Sequence, residues 1–173
     1  MLLFAHTGIA VGVGRVLDRK GIPPIDYRVL LIGSMLPDII DKPLGVYILR
    51  DFFSNGRIIA HTLLFNLLLF LLGVILLKVK GTRSILTLSA FSFLHLILDR
   101  IWEEPRVFLY PLYGFSFPKV ELEGWLSGLI HSLTTDPSTY IPEIIGAFIL
   151  ILFLVEVICR KKLEQIILKG SIR

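Results

Sequence analysis

Apolar residues run along this chain in five stretches separated by polar breaks, roughly 2–17, 29–49, 58–77, 84–101 and 141–159. The third (HTLLFNLLLFLLGVILL) and fifth (IPEIIGAFILILFLVEVIC) approach the ~20 apolar residues needed to cross about 30 Å of hydrocarbon, and they predict transmembrane helices. The other three are broken by polar groups. The first is short and Gly-rich, the second carries Pro37, Asp38 and Asp41, and the fourth carries His95 and Asp99. Such segments are expected to line a polar interior, where a helix need not be apolar all round. Turns are expected at the clusters Gly21-Ile22-Pro23-Pro24, Ser54-Asn55-Gly56 and Gly81-Thr82. The pattern predicts an all-α polytopic membrane protein, one transmembrane domain over 1–173 with about five helices.

A long connection, 102–140, joins the fourth and fifth stretches and holds Trp102, Tyr110, Tyr113, Phe115, Phe117 and Trp125. Trp and Tyr at this density suit the headgroup level of a bilayer. Within it, Glu121 to Leu133 predicts a short interfacial helix with Trp125, Leu126, Leu129 and Ile130 on its apolar side.

Composition supports this reading: 54% hydrophobic residues and a mean hydropathy of +0.78 exclude an ordinary soluble domain. Met1 to Gly14 lacks the basic start and small-residue cleavage site of a signal peptide, so a retained helix is expected there. The single cysteine, Cys159, excludes an internal disulfide and a cysteine-rich metal site. The basic balance could point to nucleic acid, but its distribution points to topology. With five crossings, Arg15, Arg19, Lys20, Arg28, Lys78, Lys80, Arg83, Arg160, Lys161, Lys162, Lys169 and Arg173 share one side, twelve of eighteen basic residues. The positive-inside rule makes that side cytoplasmic, together with the C-terminus, in a cell (inner or plasma) membrane, and no nucleic-acid partner is expected.

This topology brings His6, Asp38, Asp41, His61, His95 and Asp99 to the extracytoplasmic half. An ionisable group costs about 2.5–3.5 kcal/mol at the bilayer centre, so six unpaired ones would cancel the stability of an ordinary domain. They must share partners, water or a metal. His95 and Asp99 are four residues apart and Asp38 and Asp41 three apart, so each pair faces one way from its helix. Three imidazoles and three carboxylates suit Zn²⁺, Mn²⁺ or Fe²⁺, as one or two ions, and hydrolysis is the natural reaction class. Plainer readings stand beside this one. Asp99 could pair with Arg100, Asp41 could mark where a helix meets the interface, and His61-Thr62 could open a helix. His6 and His131 could be surface histidines.

The motifs His6-Thr7-Gly8, Gly33-Ser34-Met35-Leu36-Pro37-Asp38-Ile39-Ile40-Asp41, Arg57-Ile58-Ile59-Ala60-His61-Thr62, His95-Leu96-Ile97-Leu98-Asp99 and Pro111-Leu112 occur in this order. Over residues 6 to about 112 the chain resembles the membrane-bound metal-dependent hydrolases, also described as LexA-binding, inner-membrane-associated hydrolases. The resemblance implies a divalent-metal site built from these histidines and aspartates. Many members of that family have His-Arg-Gly where this chain has Gly56-Arg57-Ile58, which implies a site with one histidine fewer or with Glu143 substituting.

The function expected is hydrolysis of an ester or phosphoester in a lipid or lipid-linked substrate. His6, Asp38, Asp41, His61, His95 and Asp99 are the expected metal ligands. Arg57 is expected to stabilise developing phosphate charge, and Glu143 to be a general base, an extra ligand or an orienter. Aromatic residues of 102–140 would seat acyl or prenyl chains. Two other classes remain open: a metal or proton transporter, which needs polar groups continuing to the cytoplasmic half, and a scaffold with a closed structural metal.

Overall fold

The computed structural model describes residues 2–20, 25–121 and 124–172, and the side chains of all of these except Trp125 and Leu126. The turn expected at Gly21 to Pro24 and the terminal Arg173 lie outside the described residues, as do Leu122 and Glu123 of the expected interfacial helix. Among the described residues all regular structure is helical. The long helices are α1 (Leu3–Arg19), α2 (Tyr27–Lys42), α4 (Leu63–Lys80), α5 (Ser84–Leu98) and α8 (Pro137–Cys159). Shorter ones are α3 (Arg50–Phe53), α6 (Pro105–Phe108), α7 (Trp125–Thr135) and α9 (Leu163–Lys169).

Among the described residues two helices, not five, are by themselves long and apolar enough to cross a membrane: α4 and α8. Their apolar side chains point mostly outward, with Leu68, Phe70, Ile75, Phe148, Ile151 and Leu154 all exposed. The other three segments fall short for identifiable reasons. The helix α5 is apolar but has 15 residues, about 22 Å of rise. The 17-residue α1 includes Arg15, Asp18 and Arg19. The 16-residue α2 holds Pro37, Asp38 and Asp41 and passes into a wide π-helical turn, Pro43–Ile48, at the proline that cannot donate to an α-helical ladder.

Element boundaries shift where apolar residues serve turns. Ile58, Ala60 and His61 are fully buried in an irregular turn, and α4 starts only at Leu63, where the Thr62 hydroxyl accepts the Phe65 N–H at 3.0 Å. The interfacial helix starts at Trp125 rather than Glu121, and α8 begins four residues ahead of the stretch read as 141–159. An additional helix, α9, ends against the start of α2, where the Tyr27 N–H donates to the Gly170 carbonyl at 2.7 Å.

Helix α1 packs between α8 and α2, α2 lies against α5, and α5 returns along α4. The α1–α8 crossing depends on two glycines. A Cβ at Gly8 would lie 2.1 Å from the Gly146 carbonyl oxygen, and one at Gly146 would lie 2.0 Å from that of Phe4. Small residues are what allow membrane helices to approach this closely. Between α1, α2 and α5 the core is apolar, built from Ala10, Val11, Tyr27, Leu30 and Phe91.

Candidate metal centre

The packing of α1, α2 and α5, with the turn before α4, gathers His6, Asp38, His61, His95 and Asp99 in one buried cluster. His6 comes from the first turns of α1, Asp38 from α2, His61 from the irregular turn, His95 from α5 and Asp99 from the residue capping α5. His6, His95 and Asp99 offer one set of donor atoms lying within 4.8 Å of one another, and Asp38, His61 and His95 offer a second.

The imidazoles are aimed from behind. His95 Nδ1 lies 2.8 Å from the Ser34 carbonyl oxygen and His61 Nδ1 lies 2.7 Å from Asp41 Oδ2. A ring nitrogen facing a carbonyl or carboxylate carries the proton, so in both residues Nε2 is left with a lone pair. Nε2 of His61 stands 3.8 Å from Asp38 Oδ1 and 3.9 Å from Asp99 Oδ2, and Nε2 of His95 is 3.9 Å from each of those oxygens. His6 stacks on His95 with centroids 3.9 Å apart, and its Nε2 is 3.1 Å from Asp99 Oδ1. Nε2 of His61, Nε2 of His95 and Nδ1 of His6 are buried without a hydrogen-bond partner.

Buried ring nitrogens without partners are costly unless something else occupies them. Imidazole nitrogens mixed with carboxylate oxygens match the donor preferences of Zn²⁺, Mn²⁺ and Fe²⁺. A tetrahedral shell with bonds of about 2.0–2.1 Å has edges of roughly 3.4 Å, and in the Asp38, His61 and His95 set the His61 and His95 Nε2 atoms stand 3.8 and 3.9 Å from Asp38 Oδ1, about half an ångström beyond such an edge. The residues present therefore fit a divalent cation. Since His95 has only one nitrogen available, it can serve one ion, and the two sets cannot both be filled through it.

Two residues expected in the cluster sit elsewhere. The Asp41 carboxylate is directed away into the turn, accepting the N–H groups of Ile58 at 2.8 Å, Ala60 at 2.9 Å and His61 at 3.1 Å, besides His61 Nδ1. It orients a candidate ligand and holds the turn that carries it. Glu143 accepts the N–H groups of Leu2 at 2.7 Å, Phe4 at 2.9 Å and Ala5 at 3.3 Å, capping the start of α1 just ahead of His6. With its oxygens on the α1 backbone, it is placed to position His6, the orienting role among those expected for it.

Arg57 reaches the edge of the cluster, with Nη2 donating to Asp99 Oδ2 at 2.9 Å and Nη1 to the Glu104 carboxylate. Burial alone would lower the pKa of its guanidinium, but Asp99 and Glu104 outweigh that effect and hold it above the ordinary value. Lys42, which the motifs did not single out, donates to Asp38 Oδ2 at 2.7 Å. Its spacing of four from Asp38 on one helix was the available signal. Each carboxylate thus meets a cation at the rim, and Asp38 keeps Oδ1 toward the histidines.

A pocket of about 530 Å³ opens on this rim. Asp38, Asp99, Lys42, Arg57 and Glu104 supply its charged part, and Leu3, Met35, Val46, Val120 and Leu129 supply apolar wall. Of the plainer readings, Asp99 pairs with Arg57 while Arg100 pairs with Glu103, His61 precedes α4 rather than opening it, and His131 is exposed on α7.

A family model described as YdjM inner membrane protein matches residues 1–163, nearly the whole chain, and the chain belongs to that family of inner-membrane proteins. No curated protein and no solved structure matches it.

Proposed function

We propose, starting from membership of that inner-membrane family, that the chain is a metal-dependent hydrolase that cleaves an ester or phosphoester in a lipid or lipid-linked substrate. The observation that carries this reading is the convergence of unpartnered, buried ring nitrogens of His6, His61 and His95 on the carboxylates of Asp38 and Asp99. This cluster would hold one cation through His95, and the cation would supply Lewis acidity at neutral pH. Asp41 and the Ser34 carbonyl fix the tautomers of His61 and His95, and Glu143 fixes the first turn of α1 and with it His6. Arg57 offers a permanent positive charge beside Asp99 for an oxyanion that develops during hydrolysis.

The apolar wall of the pocket suits an acyl or prenyl chain with its headgroup at Asp38 and Asp99. In the arrangement that accompanies this reading, α1, α2, α4, α5 and α8 all cross the bilayer. The shorter ones do so inside the bundle, the cytoplasmic side carries the basic residues and the C-terminus, and the cluster faces the outer leaflet. A transporter would need ionisable groups continuing from the cluster. The next part of the interior is instead the apolar packing of Ala10, Val11, Leu30 and Phe91, which favours hydrolysis.

The test is release of product from membrane lipid extracts by purified protein, abolished by a chelator and by His95→Ala. Activity that survives both would remove the metal mechanism.

A further inference from the structure

Lys42, Arg57 and Glu104 line the pocket together with the two cluster carboxylates, and their side chains are all partly exposed, at 35%, 33% and 42%. The two cations differ in what holds them. Lys42 is anchored to the outer oxygen of Asp38, whereas Arg57 divides its guanidinium between Asp99 and Glu104. Glu104 is not one of the clustered donors, and its carboxylate meets Arg57 from a backbone fixed independently. Its N–H donates to Ile101, and its carbonyl accepts from Val107 and Phe108. Freeing Nη1 of Arg57 therefore needs only a rotation of the Glu104 side chain out of a part-buried ion pair, while Nη2 stays on Asp99.

We infer that these residues form an anion clamp in which Glu104 is the resident competitor. A phosphoryl oxyanion displaces the Glu104 carboxylate from Arg57 and is gripped between that guanidinium and the Lys42 ammonium. The inference rests on the metal-dependent reading above and names the group that the site recognises. Three carboxylates face two cations in the pocket, so the empty clamp repels an anion until a divalent ion reverses the balance. Phosphate then has the advantage over a carboxylate, since it offers more charge and more acceptor oxygens to a pair of cations.

The probe is inorganic phosphate, titrated calorimetrically into detergent-purified full-length protein with and without Zn²⁺ or Mn²⁺, with metal content measured on every sample. Phosphate is expected to bind only the metal-loaded protein. Lys42→Met should weaken binding about tenfold or more, and Lys42→Arg should restore most of it. Glu104→Gln should tighten binding by about three- to tenfold without changing metal content. If Lys42→Met also loses metal through Asp38, Glu104→Gln is the deciding variant, because it touches no candidate ligand.

Competition by phosphatidate in mixed micelles, with none by phosphatidylcholine, supports the clamp and assigns its anion to a lipid headgroup. Phosphate binding without that competition supports the clamp for soluble phosphate esters. Metal-loaded protein that ignores phosphate, or a Glu104→Gln variant that binds it no better than wild type, overturns the clamp alone. Protein that takes up no metal overturns the proposed function as well.

Discussion

Polar groups lie at the opposite ends of α1, and they differ in how completely they are satisfied. At the far end, Arg15 donates through Nε to Glu156 at 3.1 Å and through Nη2 to its other oxygen, joining α1 to α8. Beside them Asp18 accepts the Tyr27 hydroxyl at 2.7 Å and the Ile25 N–H at 3.4 Å. Charge there meets charge and donors meet acceptors, as expected of a group that holds helices together. At the near end His6, His61 and His95 bury ring nitrogens with no hydrogen-bond partner. Helices α1 and α2 contribute to both groups, so the near end is not a failure of packing. An arrangement that leaves such groups unpaired while its supports are fully bonded is what a ligand site requires.

The comparison breaks most sharply at the histidines. His61→Ala and His95→Ala should each abolish retention of bound metal, read by elemental analysis of purified protein with folding checked by circular dichroism. Unchanged metal in both would reduce the near end to an unusual packing cluster.

A smaller effect is expected behind the ligands. Asp41→Asn keeps the size of the side chain but weakens its hold on His61 and on three backbone N–H groups. Loss of such a supporting interaction typically costs 10–100-fold in metal affinity. Competition with a chromogenic chelator should show a loss of about that size without loss of stoichiometry. Stoichiometry that falls to zero would mean that Asp41 is itself a ligand.

The far end should respond in the opposite way. Glu156→Gln removes the charge facing Arg15, and losing hydrogen bonds to a charged group costs about 1.5–3 kcal/mol of stability. Thermal unfolding in detergent should show the loss while metal content per folded protein stays at the wild-type value. A drop in metal content would show that the two ends are coupled through α1.

How much of this was legible beforehand follows the same division. His6, Asp38, His61, His95 and Asp99 could be gathered because helical spacing and order along the chain carry their side chains to one depth. Asp41 and Glu143 could not be separated from them, because what distinguishes these carboxylates is backbone N–H groups: those of Ile58, Ala60 and His61 for one, and of Leu2, Phe4 and Ala5 for the other. Sequence does not record which amides a helix start or a turn leaves unpaired. Likewise Ile58 and Ala60 read as the opening of a membrane span, since hydropathy counts a residue buried in a turn the same as one facing lipid. The all-helical class was plain from composition. Among the described residues two helices meet the demand of length and apolarity, because Pro37, the buried carboxylates and the turn residues interrupt the other apolar stretches.

The smallest expected effect is the one that isolates the cluster from histidine chemistry in general. Of the four histidines in the chain, His131 alone is exposed, on α7, and its carbonyl rather than its ring takes part in bonding, accepting the hydroxyls of Thr134 and Thr135. A side-chain truncation there leaves those bonds in place. His131→Ala should therefore change stability by no more than about 0.5 kcal/mol, the usual range for an exposed position. It should leave metal stoichiometry and chelator competition at wild-type values. A measurable fall in metal affinity would bring α7 into the site and remove the distinction between three aimed imidazoles and one solvated one.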